Sequence, residues 1–306
     1  MYRNQVRSCC YRPQAIINVS GSDAASFLQG QFTNDLRTPT GHVTYGLWLN
    51  QKGKVLADSQ VLKVSEDDFL LCSPYSTADT IVKRLEQYIV ADDVILRDQT
   101  SEKRGLVVWG KGSGEVAKLV VGEAPMQGCF VQKNQCLVFP GLRTGGESFE
   151  IIGPANEIAI LEEKLTAHGV VAAVPAEVEF ARISSGIPAI PVDIGPGDLP
   201  NEAGLESVAV SYDKGCYLGQ EVMARLKAMG QVRRVLWKVH GSSESPKTGV
   251  PIYQGGKKVG EIRSAIGSPD GFIALAMVSR SGLDETAGFT LEMPDHSDQR
   301  PTVWMS

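Results

Sequence analysis

The chain is organised around one stretch, Asp213-Lys214-Gly215-Cys216-Tyr217-Leu218-Gly219-Gln220-Glu221, which is followed by Val222-Met223-Ala224-Arg225. It combines a cation, a thiol, a phenol, an amide and a carboxylate with glycines that allow tight backbone turns. We expect a helix from Leu218 to Met229 that Gly230 ends, so Cys216 would lie ahead of a helix N-terminus and beside Lys214. Such surroundings favour the thiolate over the thiol. A structural turn with a buried, inert cysteine is the alternative, because free cysteine is among the most buried residue types.

The same stretch resembles the Lys-Gly-Cys-Tyr-x-Gly-Gln-Glu signature of the YgfZ-type folate-binding proteins. These proteins are bacterial relatives of a mitochondrial iron–sulfur assembly factor and of the glycine-cleavage T-protein. The resemblance implies an α+β fold of the T-protein type, with two α/β subdomains and a C-terminal β-barrel arranged around a central cavity.

Composition limits the classes of function. The 306 residues carry a net charge of −5 and are 42% hydrophobic, which is typical of a globular protein and disfavours direct contact with nucleic acid. Six cysteines without a Cys-x-x-Cys motif favour a reducing compartment, and we expect a cytoplasmic location. The four histidines are dispersed, so no metal site is predicted. We expect neither a membrane span, which needs about 18 apolar residues, nor a secretory signal.

Hydrophobic periodicity predicts two α+β units of similar pattern. In the first unit, the predicted strands are 15–19, 43–50, 55–64, 69–72 and 94–96, and the helices are 24–29 and 76–90. In the second, the strands are 106–109, 136–139, 149–152 and 170–174, and the helices are 115–121 and 156–167. Both units end with a helix that leads into a short apolar strand, and a further helix is predicted over 177–185.

The C-terminal part has the spacing of a small all-β barrel or sandwich. Short strands are predicted at 235–239, 249–253, 257–263, 272–278, 289–293 and 302–305. We therefore divide the chain at 1–100, 101–233 and 234–306. The first two parts would be interleaved α+β subdomains, the second carrying the signature stretch, and the third would be the barrel.

A glycine-rich turn at 110–114 lies between a predicted strand and a predicted helix, a setting in which phosphates often bind. Glu115 occupies the place of the third glycine of the dinucleotide-binding pattern, and no Gly-Lys-Ser or Gly-Lys-Thr completes a Walker loop. Nucleotide binding is therefore not expected.

Other segments resemble the same family in order along the chain. Gln29-Gly30-Gln31-Phe32-Thr33-Asn34-Asp35 resembles a second fixed motif, although such polar groups also satisfy backbone atoms in ordinary turns. Arg182-Ile183-Ser184-Ser185-Gly186-Ile187-Pro188 resembles a third. Leu199-Pro200-Asn201-Glu202-Ala203-Gly204-Leu205 resembles a segment shared with T-proteins. The resemblance assigns Glu202 to the pterin ring, because a carboxylate can accept two coplanar hydrogen bonds; a loop-capping acid is the alternative.

The hairpin 43–64 resembles the T-protein hairpin that carries Gly-Gly-x-x-Asp-Asp, whose aspartates include the carboxylate for aminomethyl transfer. Here the segment is Gly53-Lys54-Val55-Leu56-Ala57-Asp58, so alanine replaces one carboxylate. A methyl group neither holds nor relays a proton, and the replacement argues against a working aminomethyltransferase.

Five basic residues and no acidic one lie between positions 225 and 238: Arg225, Lys227, Arg233, Arg234 and Lys238. A solvated face with extended side chains is one interpretation. An anchor for a small polyanion, such as the glutamate tail of a folate, is the other.

The resemblance implies a protein that binds tetrahydrofolate or another reduced folate and supports assembly or repair of iron–sulfur enzymes, including enzymes that methylthiolate tRNA. Its partners would be the folate and those enzymes or their assembly machinery. Cys216 would be the reactive thiol and Lys214 its activator. The predicted folate contacts are Glu202, Tyr217, Gln220, Glu221, Arg225, Asn34 and Asp35, with Glu202 and Cys216 in one hollow. A folate-dependent aminomethyltransferase or demethylase that uses Asp58 or Asp35, and a pure assembly scaffold, are the alternatives.

Overall fold

The computed structural model describes residues 5–284, 287–291 and 303–305. Residues 1–4 lie outside the described residues. So do Met293, the last residue of one predicted strand, and Thr302, the first residue of another. The strands are β1 (Arg7–Tyr11), β2 (Ala15–Ser20), β3 (Val43–Leu49), β4 (Val55–Lys63), β5 (Asp68–Ser73), β6 (Ile95–Asp98), β7 (Lys103–Trp109), β8 (Val131–Lys133), β9 (Cys136–Pro140), β10 (Ser148–Pro154), β11 (Val171–Ala172), β12 (Arg234–Gly241), β13 (Pro251–Gln254), β14 (Lys257–Ser268), β15 (Gly271–Ser279) and β16 (Val303–Met305). The helices are α1 (Ala24–Gln31), α2 (Ala78–Glu86), α3 (Ser113–Val121), α4 (Ala155–Ala167), α5 (Pro175–Ser184), α6 (Glu206–Ala209) and α7 (Gln220–Met229), with short 3-10 helices at Thr100–Glu102 and Pro200–Ala203.

The first sheet has the strand order β3-β4-β5-β2-β6, and its neighbouring strands are antiparallel. Helices α1 and α2 cover one face of it. Apolar side chains from this face and from the two helices form a common core that includes Leu28, Trp48, Val61, Ile81 and Leu85. Burial of this apolar surface stabilises the layer of sheet and helices.

The second sheet repeats that topology, with one strand added. Its order is β11-β1-β7-β10-β9-β8. The corresponding strands of the two sheets are β7 and β2, β8 and β3, β9 and β4, β10 and β5, and β11 and β6. Strand β1, which the sequence did not predict, lies between β7 and β11. Helices α3 and α4 cover the outer face, where Val116, Val120 and Leu165 are buried. The predicted duplication is thus confirmed in strand order.

The two sheets pack against each other through their inner faces. Ile16, Leu62 and Leu70 of the first sheet form one apolar cluster with Phe139 and Ile152 of the second. The result is a four-layer arrangement, with helices outside and two sheets inside.

The C-terminal strands form a third antiparallel sheet with the order β13-β14-β15-β12-β16. The sheet curls, and two further bridges join its edges: Thr290 pairs with Tyr253 of β13, and Phe289 pairs with Val303 of β16. The predicted all-β C-terminal part is confirmed as this curled, barrel-like sheet. The division of the chain at 100 and 233 stays a prediction.

A separate apolar cluster joins the first sheet, the signature stretch and the barrel. It contains Leu49 and Val55 of the β3–β4 hairpin, Tyr217 and Met223 of the signature region, and Met277 of β15. The signature stretch therefore lies at a junction between structural units.

Two boundaries differ from the predictions. The helix predicted over 76–90 spans Ala78–Glu86, and Val90 beyond it is 89% exposed. The helix predicted from Leu218 begins at Gln220, because Gly219 at its N-cap has a φ of 89°, which ordinary L residues rarely adopt.

Candidate functional site

Lys214 is buried and ties two distant motifs together. Its Nζ donates hydrogen bonds to the carbonyl oxygens of Gln29 at 2.7 Å, Phe32 at 2.7 Å and Asn34 at 2.8 Å. An ammonium group has three N–H donors, so none remains for the thiol of Cys216. Burial lowers the pKa of Lys214 to about 8. The lysine thus has a structural role, in which it caps the end of α1, and its activation of Cys216 stays a prediction.

The glycine at position 219 permits a close approach to the β3–β4 hairpin. A Cβ atom there would lie 2.9 Å from the carbonyl oxygen of Asn50 and 3.2 Å from the Cα of Gly53. On the other side of the contact, a Cβ atom on Gly53 would lie 2.9 Å from the Cβ of Val222. Two glycines from separate motifs thus face each other, and the signature turn fits against the hairpin because both lack side chains.

The other predicted residues of the signature stretch lie apart from one another. Cys216 is exposed. Tyr217 is 6% exposed and packs in the apolar cluster between the first sheet and the barrel. It is therefore a core residue. Gln220 is the first residue of α7. Arg225 contacts Glu221 one helical turn away at 3.0 Å, with both side chains largely exposed.

Glu202 is buried against an arginine of the barrel. One of its oxygens accepts a hydrogen bond from the backbone N–H of Leu199 at 2.8 Å, and the Arg234 guanidinium binds both oxygens at 3.0 and 2.9 Å. Arg234 also contacts Asp198 at 2.9 Å. The carboxylate thus acts as the loop-capping acid that the sequence left as an alternative.

Asn34 and Asp35 end the turn after α1. The Asn34 side chain donates to the carbonyl oxygens of Tyr45 at 2.8 Å and Val208 at 3.4 Å. Asp35 is held by Arg37, whose side-chain hydrogen bonds keep the pKa of this carboxyl well below its usual range. The polar groups of the 29–35 motif therefore bind the turn and its neighbours.

A cavity of about 550 Å³ opens between the two sheets and the segments that follow α5. It is lined by Asn34, Val43, Thr44, Tyr45, Gln60, Gln127, Gly128, Pro140, Leu142, Gly186, Ile187, Pro188, Ala203, Gly204, Leu205 and Val208. Of the predicted site residues, Asn34 belongs to this lining, whereas neither Glu202 nor Cys216 does. The expectation that those two residues line one hollow is corrected: the described hollow is formed by β3, β4, β9 and the loops around 187 and 204.

Asp58 lies in a small cavity that adjoins this one. A smaller cavity of about 40 Å³ includes Asp58 and shares Tyr45 and Gln60 with the larger one. The carboxyl accepts hydrogen bonds from Ser73 Oγ at 3.0 Å, Ser76 Oγ at 2.6 Å and Tyr45 Oη at 3.2 Å. Burial raises the pKa of Asp58 despite these donors. A buried carboxyl with a raised pKa beside a cavity is suited to hold or accept a proton.

Ala57 and Asp58 point to opposite faces of β4, because side chains alternate along a strand. Ala57 is fully buried in the core beneath the helices. Asp58, like Gln60 two residues later, faces the space between the sheets. The alanine that argued against catalysis therefore occupies the helix-facing position, and the cavity-facing carboxyl is present. The alternation of β4 could have revealed this from the sequence.

Arg143, which sequence reasoning missed, lines both the small cavity that includes Asp58 and another of about 380 Å³. Its guanidinium binds Glu150 at 2.8 and 3.1 Å and lies 3.9 Å from the centre of the Tyr11 ring. Nothing in the local sequence signals this pair, because the partner strand and loop meet only in the folded sheet.

The glycine-rich turn binds an internal anion. The carboxylate of Glu147 accepts hydrogen bonds from the backbone N–H groups of Gly112 at 2.9 Å and Gly114 at 3.0 Å. The donors that could cradle a phosphate are therefore used by the protein itself.

The basic segment is also largely used internally. Besides the contacts of Arg225 and Arg234, Lys238 donates to the carbonyl oxygen of Ser184 at 3.1 Å, and Lys227 lies 4.2 Å from the centre of the Tyr212 ring. These contacts favour a structural interpretation of the segment.

The described part of the chain offers neither a membrane-crossing helix nor a metal site. No helix there combines the length and apolar character that crossing a membrane requires. No group of three or more His, Cys, Asp or Glu side chains is arranged to hold a metal ion within residues 5–284, 287–291 and 303–305.

The fold consists of two α/β units with the same strand order and a barrel-like sheet. A cavity of this size beside a buried carboxyl is typical of proteins that bind small molecules. Comparison with known proteins identifies the family. Residues 2–214 match the family described as the GCVT N-terminal domain, and the chain belongs to that family, within the glycine-cleavage T-protein superfamily.

Relatives and a solved structure agree with this assignment. Aminomethyltransferases from Bacillus cytotoxicus and Bacillus cereus (strain G9842) are 26% identical over 266 residues, which is 83% of this chain and 72% of each relative. The crystal structure of glycine cleavage system aminomethyltransferase T from Bartonella henselae has a TM-score of 0.80 and 20% identity, covering 90% of this chain and 79% of that chain. The predicted T-protein fold is confirmed.

Proposed function

We propose that this protein binds a reduced folate such as tetrahydrofolate in the 550 Å³ cavity and acts, like YgfZ-type proteins, in support of iron–sulfur enzymes, including those that methylthiolate tRNA. The observation that supports the folate site is the cavity itself, with the carboxyl of Asp58 in the small cavity that adjoins it. Its membership of the T-protein superfamily supports the ligand class, because the relatives are aminomethyltransferases.

The cavity fits a folate in size and in chemistry. Its volume of about 550 Å³ lies within the range of about 300–1,000 Å³ typical of small-molecule sites. Apolar walls from Leu142, Ile187 and Leu205 suit the flat faces of a heterocycle, and Gln60 offers an amide at the edge. Asp58 accepts three hydrogen bonds from the protein, which leaves one acceptor position on the Tyr45-bound oxygen for a ring N–H or an exocyclic amine. A bound reduced folate would supply one-carbon chemistry.

The residues that would hold the folate are accordingly Asn34, Tyr45 and Gln60, which line the cavity, with Asp58 reached through the small cavity that adjoins it. Glu202 is not included, because Arg234 binds both of its oxygens. Asp35 is not included, because Arg37 binds it. Tyr217, Gln220, Glu221 and Arg225 are not included, because none of them lines the cavity.

A second candidate function is a folate-dependent one-carbon transfer with Asp58 as the proton-holding group. The specific observation in its favour is that Asp58 faces the cavity while the replaced position, Ala57, faces the core. This candidate requires turnover in the presence of tetrahydrofolate and an aminomethyl donor, and D58N should abolish it. Binding without turnover would favour the accessory function.

The accessory function depends on the signature resemblance and on Cys216, which is exposed and therefore available to a partner protein. We expect C216A to lose complementation of an iron–sulfur enzyme defect while keeping folate affinity, because the thiol does not line the cavity. Full complementation by C216A would remove the thiol from the proposal.

Titration calorimetry with tetrahydrofolate tests the site directly. We expect Q60L to weaken binding about tenfold, because the loss of one hydrogen bond costs about 1.4 kcal/mol. The control is Q132L, at an exposed glutamine of β8, which should bind like the original chain. If the unmodified protein does not bind tetrahydrofolate, the proposed function is wrong.

A further inference from the structure

Cys129 and His42 form a thiol–imidazole pair that no sequence motif indicated. The Cys129 Sγ atom lies 3.9 Å from His42 Nε2. The two residues also pair as an isolated antiparallel bridge between the start of β3 and the segment before β8. The other ring nitrogen, Nδ1, is buried and has no hydrogen-bond partner among the described residues. The thiol is thus the described side-chain partner of this imidazole.

The pair adjoins the cavity lining in sequence, although neither residue belongs to it. Val43 and Gly128, the sequence neighbours of the pair, both belong to the cavity lining. The backbone N–H of Val43 donates to the carbonyl oxygen of Gly128 at 2.9 Å, so the two segments are joined at this point. Because adjacent Cα atoms are about 3.8 Å apart, a group attached to Cys129 would start within a few ångströms of the lining.

The other thiols of the chain lack this setting. Cys9, Cys72 and Cys136 are buried, and burial raises their pKa values. Burial also raises the pKa of Cys10 to about 12, so that thiol stays protonated at neutral pH. Cys216 is exposed but has no imidazole among its described contacts.

A nucleophile within reach of a base is the arrangement that activates a thiol. We propose that Cys129 is a site of reversible thiol–disulfide exchange with a low-molecular-weight disulfide, that His42 accepts the thiol proton, and that the mixed disulfide hinders ligand binding in the adjoining cavity. The consequence for ligand binding rests on the proposed function of that cavity as a folate site.

The exchange balances without a further oxidant. The Cys129 sulfur attacks one sulfur of the disulfide, a new S–S bond forms, and the original S–S bond breaks. Cys129 is oxidised, and the departing half of the disulfide is reduced to a thiolate, which takes the proton from His42. With glutathione disulfide, the added group is a tripeptide about 10 Å long, attached one residue away from Gly128 of the cavity lining.

The test uses the full chain and glutathione disulfide as the probe. The protein is incubated with the probe, excess reagent is removed, and peptide mass spectrometry locates the adduct. We expect glutathionylation at Cys129, at a rate that falls about tenfold in H42Q. The Cys216 adduct should form at the same rate in both proteins, which separates a role of His42 at Cys129 from a general change in the fold.

Calorimetry with tetrahydrofolate then measures how the adduct changes the affinity of the cavity for this ligand. We expect the modified protein to bind at least tenfold more weakly and to recover after dithiothreitol. C129S should keep its affinity after treatment, whereas C216S should lose it like the unsubstituted chain. No adduct at Cys129, equal rates in H42Q, or unchanged affinity of the Cys129 adduct would each overturn the inference. Absence of binding by the untreated protein would instead refute the folate site, and the adduct rates would still decide whether the pair is reactive.

Discussion

Lys214 illustrates how a residue chosen for its reactivity can have a structural task. Its position beside Cys216 predicted activation of the thiol, yet the folded chain brings three carbonyl oxygens from the end of α1 to the ammonium group. The first and the last motif of the family resemblance are therefore parts of one contact. The lysine of one motif thus binds the end of a helix about 180 residues earlier in the chain.

The contact predicts a large loss of stability for K214M. Methionine has a similar length but no donor, so three buried carbonyl groups would lose their partner. We expect the free energy of unfolding in urea to fall by about 3 kcal/mol or more. K227M removes a lysine from a more exposed place and should change little; a similar effect of the two substitutions would contradict the capping role.

Asp58 predicts a dependence of stability on pH. Its pKa in the folded protein is raised above the usual 3.8 by burial, so well below pH 3.8 both folded and unfolded states are protonated and the group contributes no pH dependence. At higher pH the unfolded state loses the proton first, and the free energy of unfolding falls until the folded pKa is passed.

The variant D58N lacks this titration. The difference in unfolding free energy, variant minus unsubstituted chain, should therefore increase between pH 4 and pH 7 in urea experiments. The groups facing Asp58 are Ser73, Ser76 and Tyr45, with Arg143 in the same small cavity. A difference that is constant over this pH range would mean that Asp58 has an unperturbed pKa.

At the scale of elements, the turn before α7 and the hairpin β3–β4 depend on each other. Both Gly219 and Gly53 have positive φ, 89° and 69°, and their backbones approach closely. The signature helix is therefore positioned by backbone contact as well as by the burial of Met223 in the apolar cluster between the first sheet and the barrel. The contact explains the glycines in both motifs.

G219A should destabilise the protein by about 2–3 kcal/mol, through the left-handed backbone and the contact with the Asn50 carbonyl. The matched control is G215A in the same stretch, because a Cβ atom at Gly215 meets nothing within 4 Å. Thermal and urea unfolding of both variants would measure the difference. Equal stability of G219A and G215A would rule out the close approach.

At the scale of the molecule, the barrel is attached to the α/β units by buried charges. Arg182 of α5 is 1% exposed, binds Asp193 at 2.6 Å, and donates to Ser264 of β14 at 3.1 Å. Asp193 is itself completely buried and accepts from Ser264 at 2.6 Å. This network joins a helix, the loop that follows it and the barrel.

R182M should therefore cost about 3–5 kcal/mol, because it leaves the Asp193 carboxylate buried without its partner. R225M serves as the control, since its ion pair with Glu221 is exposed and such pairs contribute little. Urea unfolding followed by tryptophan fluorescence would compare the two. If R182M unfolds at the same urea concentration as R225M, the network does not hold the barrel in place.

Periodicity and turn residues were sufficient for most elements and for the duplicated unit, because these signals depend on neighbours a few residues apart. The hairpin at 43–64 and the barrel strands are examples. Strand β1 was missed, because a five-residue segment between two strands of another unit carries no local pattern that places it there.

The sequence by itself determined the α+β class, the repeated unit, the all-β C-terminal part and, through short fixed motifs, the superfamily. The tertiary structure alone decided which motif residues meet: Lys214 faces carbonyl oxygens, Glu202 faces Arg234, and Asp58 rather than Ala57 faces the cavity. The physical reason is that helices and strands follow from local backbone preferences, whereas the partner of a buried polar group is supplied by segments far away in the chain. Those partners are defined only once the sheets, loops and barrel have packed together.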